Sequence, residues 1–300
     1  MGRFLKDNQL MKKLLNASLM TKLIGGIVTP GVITIVLGVM IYNTTVETTH
    51  KELESKFINV IESRKAGLEQ YLGPIQEDLL IVAQNPAAVE AIKTFSKGWR
   101  DLGANAGTEL QSNYIFKNPH PPGQKDKLMS AQDGSSYSQA HATYHSWFRN
   151  LQEKRGYYDV FLFDTEGNLV YTVFKEPDYA TNFTTGPWRE TDLAKAYMAA
   201  KNAGRPGVVS FFDFKGYEPS NGAAASFIST SVYDADGTFV GVLAYQMPIA
   251  NINAVMGQST GLGKTGDAFI VGEDLLMRTD SRFVTGAENS TILTRKVDTE

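Results

Sequence analysis

Residues 23–42 form a run of twenty residues without a single charge. As an α-helix rising about 1.5 Å per residue, such a run spans about 30 Å, the thickness of a bilayer's hydrocarbon core. Pro30, Gly25, Gly26, Gly31 and Gly38 are tolerated in a spanning helix and costly in a soluble one. The apolar region of a cleaved signal peptide is shorter, about 7–15 residues, and precedes a small-residue cleavage site. This run ends instead in Ile41-Tyr42-Asn43-Thr44. Arg3, Lys6, Lys12, Lys13 and Lys22 stand before it against Asp7 alone, whereas Lys51 and Lys56 come after it among Glu47, Glu52, Glu54 and Glu62. The positive-inside rule therefore puts the N-terminus in the cytoplasm and everything after the anchor outside.

The chain beyond the anchor is long enough to bury a core. The net charge of −3 gives no reason to expect nucleic acid as a partner. The absence of cysteine removes disulfides, thiol nucleophiles and thiolate metal sites.

From residue 45 to about 84 the pattern is helical, with Leu53, Phe57, Ile61, Leu68, Leu72, Ile75 and Leu79 at three-, four- and seven-residue steps. Gly73-Pro74 is expected to kink or break this helix. Further helices are expected over 86–99 and 136–154, with a proline-rich loop at 118–123 between them. At Tyr157 the period changes to that of strands: 160–163 and 169–174 around the Asp164-Thr-Glu-Gly turn, then a helix over 190–202, then 208–214, 225–233 and 239–247. Antiparallel hairpins with a helix on one face make an α+β fold, a five-stranded module closed by a short helix at 249–256. A second module begins with a hairpin of 266–271 and 275–278.

Several motifs are weighed and set aside. Gly261-Leu-Gly-Lys-Thr-Gly266 matches a dinucleotide-binding spacing, but a helix precedes it and a strand comes after, the reverse of what phosphate binding needs. Asp234-Ala-Asp-Gly237 reads as a turn, because the twelfth position of a calcium loop is Tyr245. His141 and His145 lie one helical turn apart, a spacing that can hold zinc; the alternative is two ordinary surface or capping histidines. No nucleophile elbow or catalytic carboxylate pair is recognisable, so no cofactor and no enzymatic activity are expected, with an anchored metal-dependent hydrolase as the rival reading.

Taken together, 157–164 (Tyr-Tyr-Asp-Val-Phe-Leu-Phe-Asp), 170–176, 237–244 and 263–271 (Gly-Lys-Thr-Gly-Asp-Ala-Phe-Ile-Val), in the order anchor, long helix, five strands, second hairpin, resemble the Cache-type periplasmic sensing regions of bacterial methyl-accepting chemotaxis receptors and related signalling proteins. The resemblance implies two stacked PAS-like modules. The chain then reads as a cytoplasmic segment (1–22), a transmembrane helix (23–42), a helical periplasmic segment (43–155), a membrane-distal module (156–256) and the beginning of a membrane-proximal one (257–300). The apolar stripe of Leu53, Phe57, Ile61 and Leu68 on the long helix is expected to pack against a second copy of the chain in an inner-membrane homodimer. The resemblance further implies a small-molecule ligand, and a continuation through a second membrane helix and HAMP linker. That would lead to an output domain with cytoplasmic signalling partners, the methyl-accepting coiled coil, a cyclase or a histidine kinase.

In such a sandwich the ligand pocket lies between the sheet and the segments over it, 176–202 and the loop after the third strand. Polar groups in aromatic surroundings are the candidates: Lys175, Asp178, Trp188, Arg189, Asp213 and Tyr217. Arg189 would clamp a carboxylate with its fork of donors and Asp213 would hold an amine, while Trp188 and Tyr217 wall the site. The ligand expected is an organic acid or an amino acid. The family's amino-acid pattern sets an arginine before a Trp-Tyr pair, which Trp188-Arg189 does not reproduce. The plainer alternative makes Arg189 and Asp178 a surface pair, with Trp188 and Tyr217 in the core. The topology is checked by single cysteines at positions 18 and 135 and a membrane-impermeant thiol reagent: position 135 labels in intact spheroplasts, and labelling of position 18 alone would reverse the orientation.

Overall fold

The computed structural model describes residue 16 and residues 18–297. Arg3, Lys6, Lys12 and Lys13, which carry the orientation argument, lie outside the described residues. The chain divides between Ile61 and Glu62 into two compact units.

The described part of the first unit is the beginning of α1, which runs from Leu19–Ala83. Its most apolar 18-residue window has a mean hydropathy of 2.2 and none of it is buried. Ile33, Leu37 and Met40 expose about half or more of their surface. A core helix would cover these side chains, so the run is a candidate membrane span. Two threonine hydroxyls in this part of the helix fold back on its own carbonyls, a bonding that suits a lipid environment: Thr34 Oγ1 donates to the Pro30 carbonyl at 2.8 Å and Thr44 Oγ1 to Met40 at 2.8 Å. Contrary to expectation, α1 is not interrupted at Gly73-Pro74. Proline forfeits one hydrogen bond there, and the missing Cβ of Gly73 removes part of the clash that disfavours helix before proline.

In the second unit the last turns of α1 belong to the core, with Ile75, Leu79, Val82 and Ala83 all buried. Asn85 caps the next helix, α2 (Pro86–Leu102), its side chain accepting from the Ala87 N–H, and Pro86 occupies the first turn, where an N–H has no partner to lose. A short helix α3 (Ala106–Gln111) runs into a π-helical turn, and α4 (Ser136–Arg155) starts on the Ser135 cap and ends at Gly156 in the left-handed conformation. Gly98 lets α2 and α4 touch: a Cβ there would lie 2.6 Å from the Tyr137 Cα.

The sheet is antiparallel, formed by β1 (Asp159–Phe163), β2 (Leu169–Thr172), β3 (Val209–Tyr217), β4 (Ala223–Tyr233) and β5 (Phe239–Gln246), in the order β2-β1-β5-β4-β3. Helix α5 (Asp192–Asn202) comes after β2 and the short α6 (Ile249–Met256) after β5. Alternation sorts the sheet's two faces. Val160, Leu162, Ile228, Leu243 and Tyr245 pack with α1, α2 and α4. Phe161, Phe163, Phe227, Val242 and Ala244 pack with α5. This is the expected α+β arrangement.

Arg64 of α1 is 5% exposed and donates to the side chain and carbonyl of Gln258 (3.0 and 2.6 Å) and to the Thr260 carbonyl (3.2 Å), just beyond the C-terminus of α6. Asp78 accepts from the Tyr157 hydroxyl at 2.7 Å and pairs with Arg155 at 2.8 Å. The expected second hairpin is reduced to bridges, Val271 with Met277 and Leu276 with Lys296, without strand-length ladders. The glycine loop before it turns carbonyls inward: Gly266 and Gly263 accept from Arg282 (2.6 and 2.8 Å), the opposite polarity to a phosphate cradle.

Leu79 is fully buried and Ile81, on the same helix, is 67% exposed. Leu79→Ala is expected to cost about 2–5 kcal/mol and Ile81→Ala under about 0.5 kcal/mol, measured by denaturation of the second unit's transition. Equal effects would contradict the packing described.

Candidate functional site

The first residue of β1 is an acid. Asp159 is 1% exposed and shares the Phe161–Phe163 face, and its Oδ1 accepts the N–H groups of Val160 (2.7 Å) and Val173 (2.8 Å), with that of Phe174 at 3.3 Å. The carboxylate thereby holds the backbone leaving β2. The next residue, Lys175, has a left-handed backbone (φ 60°), and so does Ala180 (φ 57°). Between them sit two more acids. Glu176 accepts from the hydroxyls of Tyr158 (2.8 Å) and Ser220 (2.6 Å). Asp178 is fully buried; its Oδ2 accepts from the Tyr217 hydroxyl at 2.5 Å, and its Oδ1 has no partner among the described residues.

Loss of water disfavours ionisation of all three. Burial raises Asp159 well above the usual carboxylate range, and the charges of Glu176 and Asp178 add to it. Burial raises Glu176, against the hydrogen bonds from Ser220 and Tyr158. Asp178 is pushed up to about 7, by burial first, less the Tyr217 bond and plus the charge of Glu176.

Lys175 is 1% exposed. Its Nζ donates to the Thr172 carbonyl and lies over the rings of Tyr171 and Tyr179, 4.4 and 5.3 Å from their centroids. Burial pulls it down to about 7, while the charges of Asp159 and Asp126 pull it up.

A cleft of about 340 Å³ is lined by Pro187, Trp188 and Thr191 before and at the start of α5, by Tyr217, Ala225 and Phe227 from the sheet, and by the charged Glu190, Asp192, Lys195, Lys215 and Glu218. Tyr217 meets Phe227 edge to face at 5.0 Å and turns its hydroxyl to Asp178. The indole N–H of Trp188 is buried without a partner among the described residues. At the rim Asp192 draws both Lys195 (2.7 Å) and Lys215 (3.4 Å).

Of the six candidates, Asp178 and Tyr217 are joined directly, Trp188 shares the cleft with Tyr217, and Lys175 is in the same loop as Asp178. Arg189 lies outside, 54% exposed, beside Glu190 (3.5 Å) and the Gly186 carbonyl (3.3 Å). Asp213 is half-exposed and pairs at 2.8 Å with the buried Arg278. Neither the Arg189 clamp nor the Asp213 amine anchor has the expected setting, and the alternative surface pair of Arg189 with Asp178 is absent. Asp159, Glu176, Tyr158 and Ser220 were not singled out from the sequence. The signal for Asp159 was an acid opening the strand Asp-Val-Phe-Leu-Phe in the register of its phenylalanines.

The histidine pair corrects both of its sequence readings. His141 and His145 are fully buried and stacked at 4.3 Å. His145 bonds the Tyr171 hydroxyl and the Asp126 carbonyl, each at 2.6 Å, so both ring nitrogens are engaged; His141 Nδ1 bonds the Met129 carbonyl at 2.8 Å. Burial, with the nearby Lys175 charge, lowers His145 to about 3 and His141 well below its ordinary value. They are neutral core residues. Among the described residues no group of three or more potential ligands from His, Cys, Asp and Glu could hold a metal ion.

No family model matches the chain and no curated protein matches it. Solved structures do. The sensor domain of the Vibrio cholerae histidine kinase DctB is 16% identical with a TM-score of 0.34, over 63% of this chain and 64% of that one. The ligand-binding domain of the Pseudomonas aeruginosa amino acid chemoreceptor PctC, in complex with GABA, is 17% identical with a TM-score of 0.34, over 76% and 78%. The ligand-binding domain of the Pseudomonas fluorescens chemoreceptor CtaA, in complex with L-serine, is 17% identical with a TM-score of 0.31, over 77% of each chain. The chain spans less than two thirds of the DctB domain and 32% of an extracellular ligand-binding receptor from Desulfohalobium retbaense.

Because Asp178 holds its proton in the fold up to about pH 7 and releases it near 4 when unfolded, its burial stabilises most at low pH, and that contribution is lost as pH rises through 7. His141 and His145 act in the other direction, since they charge on unfolding below about pH 6.5. The difference between the wild type and Asp178→Asn isolates the acid. The variant's advantage is expected to grow by about 1–3 kcal/mol between about pH 5 and 7.5, followed by thermal denaturation; an advantage that shrinks over that range would contradict the assignment. The structural neighbours of this chain are thus sensor and ligand-binding domains of chemoreceptors and of a histidine kinase.

Proposed function

We propose that the chain is the extracytoplasmic ligand-sensing part of a transmembrane receptor rather than an enzyme, binding a small metabolite in the cleft beside Trp188 and Tyr217. The observation that carries this reading is α1 itself: one helix contains both the exposed, charge-free run and the turns, Ile75 to Ala83, that form part of the core beside the sheet. An enzyme anchored for convenience needs no such continuity, whereas a receptor does. The N-terminus is then cytoplasmic, the membrane is a bacterial inner membrane, and the sheet-bearing module is the membrane-distal one.

A chemical route from the cleft to α1 is short. Tyr217 contacts Asp178, whose charge is felt by Asp159 at the head of β1; two residues earlier Tyr157 donates to Asp78 of α1. A ligand that changes the charge or position of these acids alters the support of α1 at Asp78. Leu53, Phe57 and Ile61, each 45% exposed or more, form the stripe on which a second copy of the chain would pack, so that a small shift of paired helices crosses the bilayer as signal.

Two measurements on the full chain in lipid nanodiscs test the reading. A metabolite screen is expected to find a compound that stabilises the fold, by roughly 2.7 kcal/mol at a hundredfold excess over its Kd. Single cysteines along 53–61 are expected to crosslink with helical periodicity, in a pattern that changes with that compound. A flat profile argues against the paired helices, and a screen without any stabilising compound against the receptor.

A further inference from the structure

Tyr217 belongs to two places at once. It lines the cleft together with Trp188 and Phe227, and its hydroxyl donates to Asp178 Oδ2 at 2.5 Å. Asp178 is fully buried, and its Oδ1 has no hydrogen-bond partner among the described residues. The backbone N–H groups of Asp178 and Tyr179 favour the charged form without completing a bond to that oxygen. The elements packed around the carboxyl supply acids and phenols: Glu176 and Tyr179 from its own loop, Tyr158 and Asp159 at the head of β1, Tyr217 from β3, and Tyr137 from α4, which meets Tyr179. The cation of the loop, Lys175, donates instead to the Thr172 carbonyl and lies over the rings of Tyr171 and Tyr179. From α3 comes the uncharged Gln111, which donates to the carbonyls of Pro177 (3.2 Å) and Tyr179 (2.9 Å).

A carboxyl in this setting is stable as the neutral acid. Ionised, it would spread its charge over one oxygen with a single donor and another with none. Loss of the proton therefore calls for water at Oδ1, or for a displacement of residues 176–179 that brings Asp178 to water. The loop has a reason to move as a piece. Lys175 (φ 60°) and Ala180 (φ 57°) bracket it in the left-handed conformation, which is strained for residues with a Cβ. Displacement takes away the acceptor of the Tyr217 hydroxyl. The ring then follows the loop or gives up its bond, and in either case the cleft loses the wall it has now.

Resting on the reading of the cleft as a sensor's ligand site, we propose that Asp178 is a proton-binding site that regulates it: the neutral acid holds Tyr217 and the cleft in the shape described, and loss of the proton opens the cleft. The chain then reads the acidity of its surroundings at the same place as the metabolite. Asp178 is a positioning residue, acting on the ligand through Tyr217. Burial pushes the acid up to about 7, so the metabolite binds tightly below that pH and more weakly as pH rises through it. By linkage, the bound metabolite strengthens the acid's hold on its proton to the same extent.

The proton site is tested without a metabolite. In the full chain in nanodiscs carrying Trp99→Phe and Trp147→Phe, Trp188 is the one tryptophan left, and acrylamide quenching of its emission reports how open the cleft is. Quenching is expected to rise with pH in a single one-proton step centred near 7. Asp178→Asn, uncharged at every pH, should abolish the step and keep the low-pH quenching throughout. Tyr217→Phe removes the side-chain bond that favours the charged form and should move the step to higher pH. Lys175→Met removes the other buried group that burial brings to about 7 and should leave the step in place. A wild type without the step, or a step that persists in Asp178→Asn or vanishes in Lys175→Met, would overturn the proton site. Should Asp178→Asn not fold, a step unmoved in Tyr217→Phe would do so instead. The regulation is tested by calorimetry with a metabolite that stabilises the fold: between about pH 6 and 8 its Kd should weaken by about tenfold, as the protonated fraction of such an acid falls. A Kd that does not change would overturn the regulation and leave the sensor reading standing. A chain that shows the step but that no metabolite stabilises would keep the proton site and lose both the sensor reading and the regulation.

Discussion

Asp159 gives up its water and receives backbone in exchange. Its carboxylate collects the N–H groups of Val160 and Val173, and these bonds fix where the chain leaves β2. The consequences run outward from there. The chain turns through the left-handed Lys175 and drops Glu176 and Asp178 into the same interior. Each new acid must then find hydroxyls, and Tyr158, Ser220 and Tyr217 are drawn in from β1's approach, the turn after β3 and β3 itself. Like charges in a medium of low polarisability cannot all ionise, so the cluster holds protons at a pH where isolated carboxylates have none. Burying three acids together weakens a fold, and such strain is found where something else has to bind.

The two faces of the sheet solve different problems. Against α2 and α4 the side chains interlock: Phe95, Tyr137, Tyr171 and the stacked histidines form a continuous aromatic layer, with Tyr137 donating to the Val170 carbonyl and Tyr179 to Tyr137. Every buried ring with a polar tip needs such a partner, and dense mutual bonding makes that face stiff. The α5 face is closed at one end by Phe163, Phe183 and Tyr197 and left open at the other, beside Trp188. A rigid layer behind and an open cleft in front is the mechanical arrangement of a lever with one fixed side.

Much of this was legible in the sequence because it is periodic. The strand runs from Tyr157 to Met247, the helix between β2 and β3, and the charge-free run each repeat a simple spacing over many residues, and each has its counterpart in the structure. Direction was not legible. Arg189 comes directly after Trp188 in the chain, but a turn before α5 sends one side chain inward and the next outward, and no spacing rule distinguishes them. Asp213 met Arg278, sixty-five residues later, in a pairing that only the fold creates. His141 and His145 looked like surface groups because histidine is polar; with Tyr171 and two carbonyls to satisfy them, they behave as aromatic core. The hairpin expected after Gly266 kept its turn and lost its ladders, since alternation over four residues says little about what lies alongside.

Arg64 has a consequence for anyone cutting this protein. Its guanidinium, deep within α1, binds three acceptors just past the end of α6, where helix dipole and unpaired carbonyls both welcome a cation. A water-soluble fragment made by removing the anchor must therefore begin upstream of Arg64, although nothing in the hydropathy of residues 43–62 marks that limit. A fragment started closer to the sheet would keep every strand and still leave the carbonyls of Gln258 and Thr260 without their donor.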